Sequence, residues 1–174
     1  MNGAHLHLFL NHAPVIGVVI GFLLLALARL RKSGELTKIS LGLLALVALV
    51  ALPVYLAGEP AEKIVEHLPG VSEGLIEKHE QAGLVSLIAM EIVGVVSLVG
   101  LFLFRGERKV PNWFAAFALA LSLFSAVAMG WTANLGGQIR HTEIRSDFNP
   151  SSPAETGDKK GERKKEGEER EHRD

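Results

Sequence analysis

Four long apolar stretches alternate with short polar linkers along the chain. They cover residues 13–30, 39–57, 82–104 and 113–135. A run of about 20 apolar residues is long enough to cross the hydrocarbon core of a bilayer as a helix. The first run resembles a secretory leader because Ala26-Leu27-Ala28 mimics a cleavage site, but it lacks a basic start, which favours a retained span. The pattern therefore predicts an all-α, integral membrane four-helix bundle.

The linker between the second and third spans has a helical pattern of its own. Gly58-Glu59-Pro60 predicts a helix start with proline at the first position, and Pro69-Gly70 predicts the end of that helix. Ser72 is a candidate N-cap for a further helix that continues through His79 into the third span. We therefore expect a helical outer loop between spans two and three.

Charge is distributed unevenly over the linkers. The loop between spans two and three is acidic, whereas the linkers after spans one and three carry a basic set, namely Arg29, Arg31, Lys32, Lys38, Arg105, Arg108 and Lys109. Short basic loops stay in the cytoplasm, so both termini and the acidic loop are predicted to lie outside. Residues 1–145 then form the membrane domain, and the charged tail 146–174 has no apolar stripe, so disorder is expected for it.

Composition narrows the chemistry that is available. The chain has 174 residues, is 48% hydrophobic, carries a net charge of −1 and contains no cysteine. The absence of cysteine excludes covalent c-type haem, thiolate iron–sulfur centres, Cys-ligated zinc and disulfides. No basic face for nucleic acid emerges, and the nucleotide-binding and hydrolase motifs are missing. A cofactor must therefore be held by nitrogen or oxygen ligands.

All seven histidines are predicted to lie on the outer side, since the basic linkers contain none. Histidine is the commonest metal ligand, so this asymmetry predicts a cofactor site near the outer surface. His5, His7 and His12 precede or open the first span. For His5 and His7, ligation and an ordinary interfacial helix start are equally open interpretations. His12 lies deeper, against apolar neighbours, which favours ligation.

Two further histidines share a helical face with small residues. Gly83 lies one turn after His79, and Gly137 lies one turn before His141. A small residue next to a histidine leaves room for a flat ring such as haem, or else it admits a neighbouring helix. Arg140 is placed to pair with a haem propionate or with the acidic loop, and an ordinary interfacial arginine is the alternative for it.

Glu91 is the one acidic residue well inside a span. Charge at that depth is costly, so an intramembrane carboxyl is a functional candidate by default. Glu91 and Glu80, which lies where the outer loop enters the membrane, are candidates for moving a proton. The alternative for Glu91 is a neutral acid that is hydrogen-bonded to Ser122 or Ser125 of span four.

The positions of these residues resemble those of a widespread family of small, mostly uncharacterised bacterial four-helix membrane proteins. That family has a histidine-rich opening, a histidine before the third helix and a Gly-Gly…His ending. The matching pieces are His5-Leu6-His7 with Asn11-His12-Ala13-Pro14, then His79 with Gly83, then Gly136-Gly137 with His141. The chain departs from the pattern at its opening, where it has His-Leu-His in place of the His-Pro of the family. The resemblance implies the four-helix fold, a b-type haem between the helices and, in a bacterium, termini on the periplasmic side of the inner membrane.

Three functions follow as alternatives. The first is a b-type cytochrome-like protein in which His12, with His79 or His141, ligates haem and passes electrons between a quinol and an outer acceptor. The second is a copper, zinc or iron site with three or more ligands, drawn from His5, His7, His12, His79, Glu80 and His141. The third is a cofactor-free accessory subunit. The expected partners are the lipid bilayer and, as candidates, a quinone, a larger membrane complex or a second copy; a stand-alone enzyme is the less favoured class, and nucleic acid is not expected.

Overall fold

In a computed structural model, which describes residues 3–146, the chain is helical and has no strand in that range. The elements are α1 (Gly3–Leu10), α2 (His12–Leu30), α3 (Gly34–Leu56), α4 (Gly58–Val65), α5 (Glu73–Leu103), α6 (Asn112–Arg140) and a 3₁₀ turn (Thr142–Ile144). Four helices are long and apolar enough to cross a membrane. The all-helical prediction with four candidate spans is thus confirmed, and the tail prediction for residues 147–174 lies outside the described range.

The long helices pack as a square. Helix α2 contacts α3 and α6, and α5 contacts the same two helices from the other side, so α2 and α5 stand diagonally opposite. Residues 3–12, 57–80 and 132–146 lie at one end, which we call the histidine end. Residues 29–38 and 104–112 lie at the other, which we call the basic end. Up-and-down connectivity therefore gathers the predicted site residues, apart from Gly83 and Glu91, at one end.

Prolines and a serine determine where several helices begin and end. Pro14 has no backbone N–H, so the carbonyl of Leu10 lacks its usual donor four residues on, and α1 ends there. Ser33 is the N-cap of α3, and its Oγ accepts from the Leu36 N–H at 3.2 Å. Ser72 occupies the predicted N-cap position of α5, although its side chain makes no capping hydrogen bond. Pro60 is the third residue of α4 rather than the first.

Glycines let the helices of the bundle approach closely. A Cβ on Gly21 of α2 would lie 2.6 Å from Leu44 of α3. Gly94 of α5 lies even closer to Ala48 of α3, with no room for a side chain. At such a distance only a residue without a large side chain fits between the two helices. Small residues therefore let membrane helices approach each other closely. Gly21 is therefore a helix-packing residue.

The interior of the bundle also contains buried hydroxyls. Ser40 and Ser122 each donate to a carbonyl of their own helix, at 2.7 Å to Leu36 and 2.9 Å to Leu119. Ser125 of α6 donates to the sulfur of Met90 on α5 at 3.4 Å. The hydroxyls of Ser40 and Ser122 are therefore satisfied without a partner from another helix, which keeps the core close-packed.

Candidate functional site

His7 is anchored at the histidine end by a contact with α3. Its Nδ1 lies 3.0 Å from the backbone oxygen of Val54, and its half-buried ring lies beside Gly58, where a Cβ would be 3.8 Å from Cε1. A carbonyl oxygen only accepts hydrogen bonds, so Nδ1 must carry the proton and donate. Val54 lies in the last turn of α3, where carbonyls lack their full set of helical donors. In its neutral form, His7 therefore carries its proton on Nδ1, and the lone pair is on Nε2.

His79 is anchored in the same way to α6. Its Nδ1 donates to the backbone oxygen of Thr132 at 3.0 Å. The ring packs directly on Gly136, where a Cβ would lie 2.9 Å from Cε1 and 3.3 Å from Nδ1. Only glycine allows the imidazole to reach the Thr132 carbonyl at this distance. Two imidazoles of the histidine end thus share one arrangement: a backbone carbonyl at Nδ1, a glycine beside the ring, and Nε2 as the nitrogen with a free lone pair.

A hydroxyl pair extends the contact between α5 and α6. The Thr132 hydroxyl donates to the Ala128 carbonyl at 3.1 Å, so it must accept from Ser86, whose Oγ lies 2.8 Å away. Thr132 therefore binds His79 through its backbone and Ser86 through its side chain. This double attachment holds the histidine-bearing turn of α5 in register with α6.

His7 of α1 and His79 of α5 both lie at the histidine end, although they are far apart in sequence. They lie near enough for the charges of the two rings to interact. Glu62 of α4 and Glu80 of α5 are also near enough to repel each other, so this end of the bundle is acidic around the two rings. The histidine end therefore carries two imidazoles from different helices, along with acidic side chains of α4 and α5.

The other histidines within residues 3–146 are exposed at the surface. His5 and His12 are exposed, and His12 stands at the first turn of α2, beyond the break that separates it from His7. His141 is exposed at the C-cap of α6, where its Nδ1 lies 2.9 Å from Glu143. The pKa of Glu143 lies below its usual value because its own backbone N–H and then His141 hydrogen-bond to the carboxylate. His7 is thus the histidine whose charge acts on the ring of His79.

The glycines that were expected to make room for a ring have different neighbours. Gly83 faces Tyr55 and Thr132, each 3.9 Å from the position of a Cβ, so ordinary side chains fill the space there. Gly137 faces Ile144 at 3.5 Å. Gly136, which the sequence singles out only as part of the Gly-Gly…His motif, is the glycine against a histidine ring. It lies four residues after Thr132, so both residues are on one helical face.

Arg140 is exposed, and no ion pair of its guanidinium is seen within residues 3–146. The contact between the end of α6 and the outer loop is made by Arg145 instead. Its guanidinium donates to the carbonyls of Gln138, Ile139 and Gly70 at 2.8, 3.1 and 3.0 Å. Arg145 follows the helix in an irregular segment, where sequence periodicity carries no information about contacts.

Glu91 lies on the outward face of α5, among exposed Ile88, Ile92 and Val95. Its Oε1 is buried and has no hydrogen-bond partner in the described range. The alternative pairing with Ser122 or Ser125 is not formed, because those hydroxyls donate to Leu119 and Met90. A charged carboxylate at the bilayer centre costs about 2.5–3.5 kcal/mol on insertion scales. Glu80, by contrast, is exposed at the histidine end.

Within residues 3–146, no group of three or more histidine or acidic side chains is arranged to hold a metal ion. The two-histidine arrangement of His7 and His79 is therefore the best-defined candidate ligand set there. No family model, curated protein or solved structure matches the chain, so the family resemblance of the short motifs stays a prediction and the function is argued from the residues themselves.

Proposed function

We propose that this chain is a multi-pass membrane protein that holds a b-type haem at the histidine end, with His7 and His79 as the axial ligands. The observation that carries the proposal is the shared anchoring of the two rings, each donating Nδ1–H to a backbone carbonyl at 3.0 Å. Such a second contact fixes the tautomer, orients the ring and makes Nε2 more basic, as is usual for metal-bound histidine. Bound haem would supply a one-electron redox couple.

The number of ligands favours haem over a bare ion. Copper, zinc or iron held by imidazole and carboxylate normally takes three or more protein ligands. No group of three or more such side chains occurs between residues 3 and 146, whereas His7 and His79 offer one imidazole each from two helices. Two strong nitrogen ligands from different helices suit an axial pair in a four-helix bundle.

We further propose that both termini face the periplasmic side of a bacterial inner membrane. Exposed Trp113 and Trp131 lie near opposite ends of α6. Their 18-residue separation corresponds to about 27 Å of helix, close to the roughly 30 Å hydrocarbon core that interfacial tryptophans flank. The basic end then meets the cytoplasm, as the short linkers predict. In this orientation the site lies near the outer surface, where electrons from a quinol would reach an outer acceptor and exposed Glu80 would exchange a proton with water.

A second candidate is a cofactor-free accessory bundle. It is supported by the packing next to His79, where Tyr55 and Thr132 occupy the space at Gly83. In that case the two imidazoles stabilise helix packing through hydrogen bonds, with His7 linking α1 to α3 and His79 linking α5 to α6.

The test is an absorption spectrum of detergent-purified protein from haem-replete cells, oxidised and then reduced with dithionite. We expect a Soret band and a sharp α band on reduction, both lost in His7→Ala and His79→Ala. His12→Ala and His141→Ala are matched controls that keep the spectrum, because both side chains are exposed. A colourless wild-type protein refutes haem binding, and a spectrum that depends on His12 or His141 refutes the assigned pair.

A further inference from the structure

The basic end of the bundle carries a large excess of positive charge. The two linkers that form it contain seven cations and only two carboxylates, Glu35 and Glu107. The cations are Arg29, Arg31, Lys32 and Lys38 of the first linker and Arg105, Arg108 and Lys109 of the second. Within residues 3–146, the ion pairs all lie at the histidine end, so neither carboxylate is paired with one of these cations. In that range, ion pairs therefore leave the charge of the basic end uncompensated.

Two hydrogen bonds hold the basic linkers side by side. The Arg29 guanidinium donates to the backbone oxygen of Asn112 at 2.7 Å, and the Lys38 ammonium donates to that of Gly106. Each bond joins the first half of the chain to the second. The remaining cations are thereby gathered into one surface, which we call the basic patch. Its members are exposed, and they are Arg31, Lys32, Arg105, Arg108 and Lys109.

The basic patch lies where the surface of the bundle changes from apolar to polar. Exposed Phe102 of α5 and Trp113 of α6 stand next to it. The Arg105 guanidinium stacks over the ring of Phe102, 4.9 Å from its centroid. Exposed tryptophan at the end of an apolar helix is typical of the membrane interface. Cations beside these rings therefore lie at the depth of the lipid headgroups, if the helices span a bilayer as proposed.

We propose that the basic patch binds the headgroups of anionic phospholipids in the leaflet that surrounds it. The proposal rests on the membrane insertion proposed above and not on haem. Guanidinium and ammonium groups form charge-assisted hydrogen bonds with phosphate oxygens. A lysine or arginine near an anionic leaflet strengthens binding roughly fivefold. Because cations of both halves of the chain form the patch, it can contact several headgroups at once.

The two tryptophans of the chain provide a local test, because each is exposed near a different end of α6. Trp131→Phe leaves Trp113 as the fluorophore of the basic end, and Trp113→Phe leaves Trp131 as the fluorophore near the histidine end. Each full-length variant is reconstituted at low salt into vesicles of phosphatidylcholine and phosphatidylglycerol in equal amounts. Two vesicle samples are compared that differ only in which lipid has brominated acyl chains. Bromine quenches tryptophan at short range, so the ratio of quenching measures the local preference for the anionic lipid.

We expect the preference for phosphatidylglycerol at Trp113 to exceed that at Trp131 by roughly fivefold or more. Arg108→Gln with Lys109→Gln should reduce the preference at Trp113 by at least roughly fivefold. Lys78→Gln with Arg140→Gln is the matched control, because it removes the same two charge types from exposed positions at the histidine end. This control should leave the preference at Trp113 unchanged. Circular dichroism shows that each variant keeps its helices.

Three results would overturn the proposal: an equal preference at the two tryptophans, no change with Arg108→Gln and Lys109→Gln, or an equal reduction with the control pair. Failure of membrane insertion gives a different result, because brominated chains of neither lipid would then quench either tryptophan. The quenching ratio compares the same protein in two lipid mixtures, so it tests the lipid contact separately from haem binding.

Discussion

Gly136 offers the sharpest test of the site because its only role in the structure is to admit a ring. An alanine there places a Cβ 2.9 Å from Cε1 of His79, which is closer than side chains tolerate. The imidazole is the far end of a flexible side chain, so it swings aside and loses its bond to the Thr132 carbonyl. Gly130→Ala is the matched control on the same helix, since a Cβ there meets nothing within 4 Å.

The expected difference between the two variants follows from three contributions. Both gain up to about 1 kcal/mol in helix propensity. Gly136→Ala also loses a hydrogen bond worth about 1 kcal/mol and suffers crowding of at least about 1 kcal/mol. Gly136→Ala should therefore be about 2 kcal/mol less stable than Gly130→Ala, which corresponds to roughly 4–8 °C in Tm for a chain of this size.

Thermal unfolding in detergent, followed by circular dichroism, measures this difference. His79→Ala completes a double-mutant cycle, because an alanine at 136 has no ring to displace once the imidazole is gone. The cost of Gly136→Ala should then vanish, which gives a coupling energy of about 2 kcal/mol between the two positions. Equal unfolding of Gly136→Ala and Gly130→Ala, or zero coupling with His79→Ala, would refute the contact.

Two further substitutions test the bundle and its outer loop. Gly94→Leu forces a side chain into α3 and should destabilise the protein by about 1–3 kcal/mol. Gly42→Leu is the control and should not destabilise it, because nothing lies within 4 Å of the Cβ position there. Similar melting temperatures of the two variants would contradict the close contact between Gly94 and Ala48. Arg145→Ala removes the hydrogen bond to the Gly70 carbonyl and should speed proteolysis of the outer loop. Arg140→Ala is the control and should leave the cleavage rate unchanged. Equal cleavage rates of the two variants would show that Arg145 does not hold the loop.

The sequence predicts the helices of this chain well because long apolar runs have few alternatives. The four candidate spans and the position of Ser72 before α5 follow from hydropathy and capping rules. Gly136-Gly137 lie inside α6, which continues to Arg140. Glycine alone does not decide this, because it ends a helix in a free loop but is tolerated inside one where another helix packs against it.

The pairing within the site is less predictable than the helices. His7 and His12 have similar local sequences, and only the break at Leu10 and the end of α3 direct one of them towards His79. Backbone carbonyls as the partners of both rings leave no trace in the sequence, since any residue provides them. Glycine next to a histidine was the correct kind of signal, but the choice among Gly83, Gly136 and Gly137 required the rotation of α5 against α6.

The serines of the interior bear on how the bundle assembles. Ser40 and Ser122 bond to carbonyls of their own helices, so these two hydroxyls are satisfied before the helices meet, whereas Ser125 gains Met90 only when α6 packs against α5. Insertion can then precede association, and the second stage is guided by shape, with side chains such as Leu44 seating in the notch at Gly21. At the histidine end, the bond of His7 to Val54 joins α1 to α3, and the bonds of His79 and Ser86 to Thr132 join α5 to α6. Each of these bonds joins helices of one half of the chain, so each half can fix its own histidine before the two halves meet.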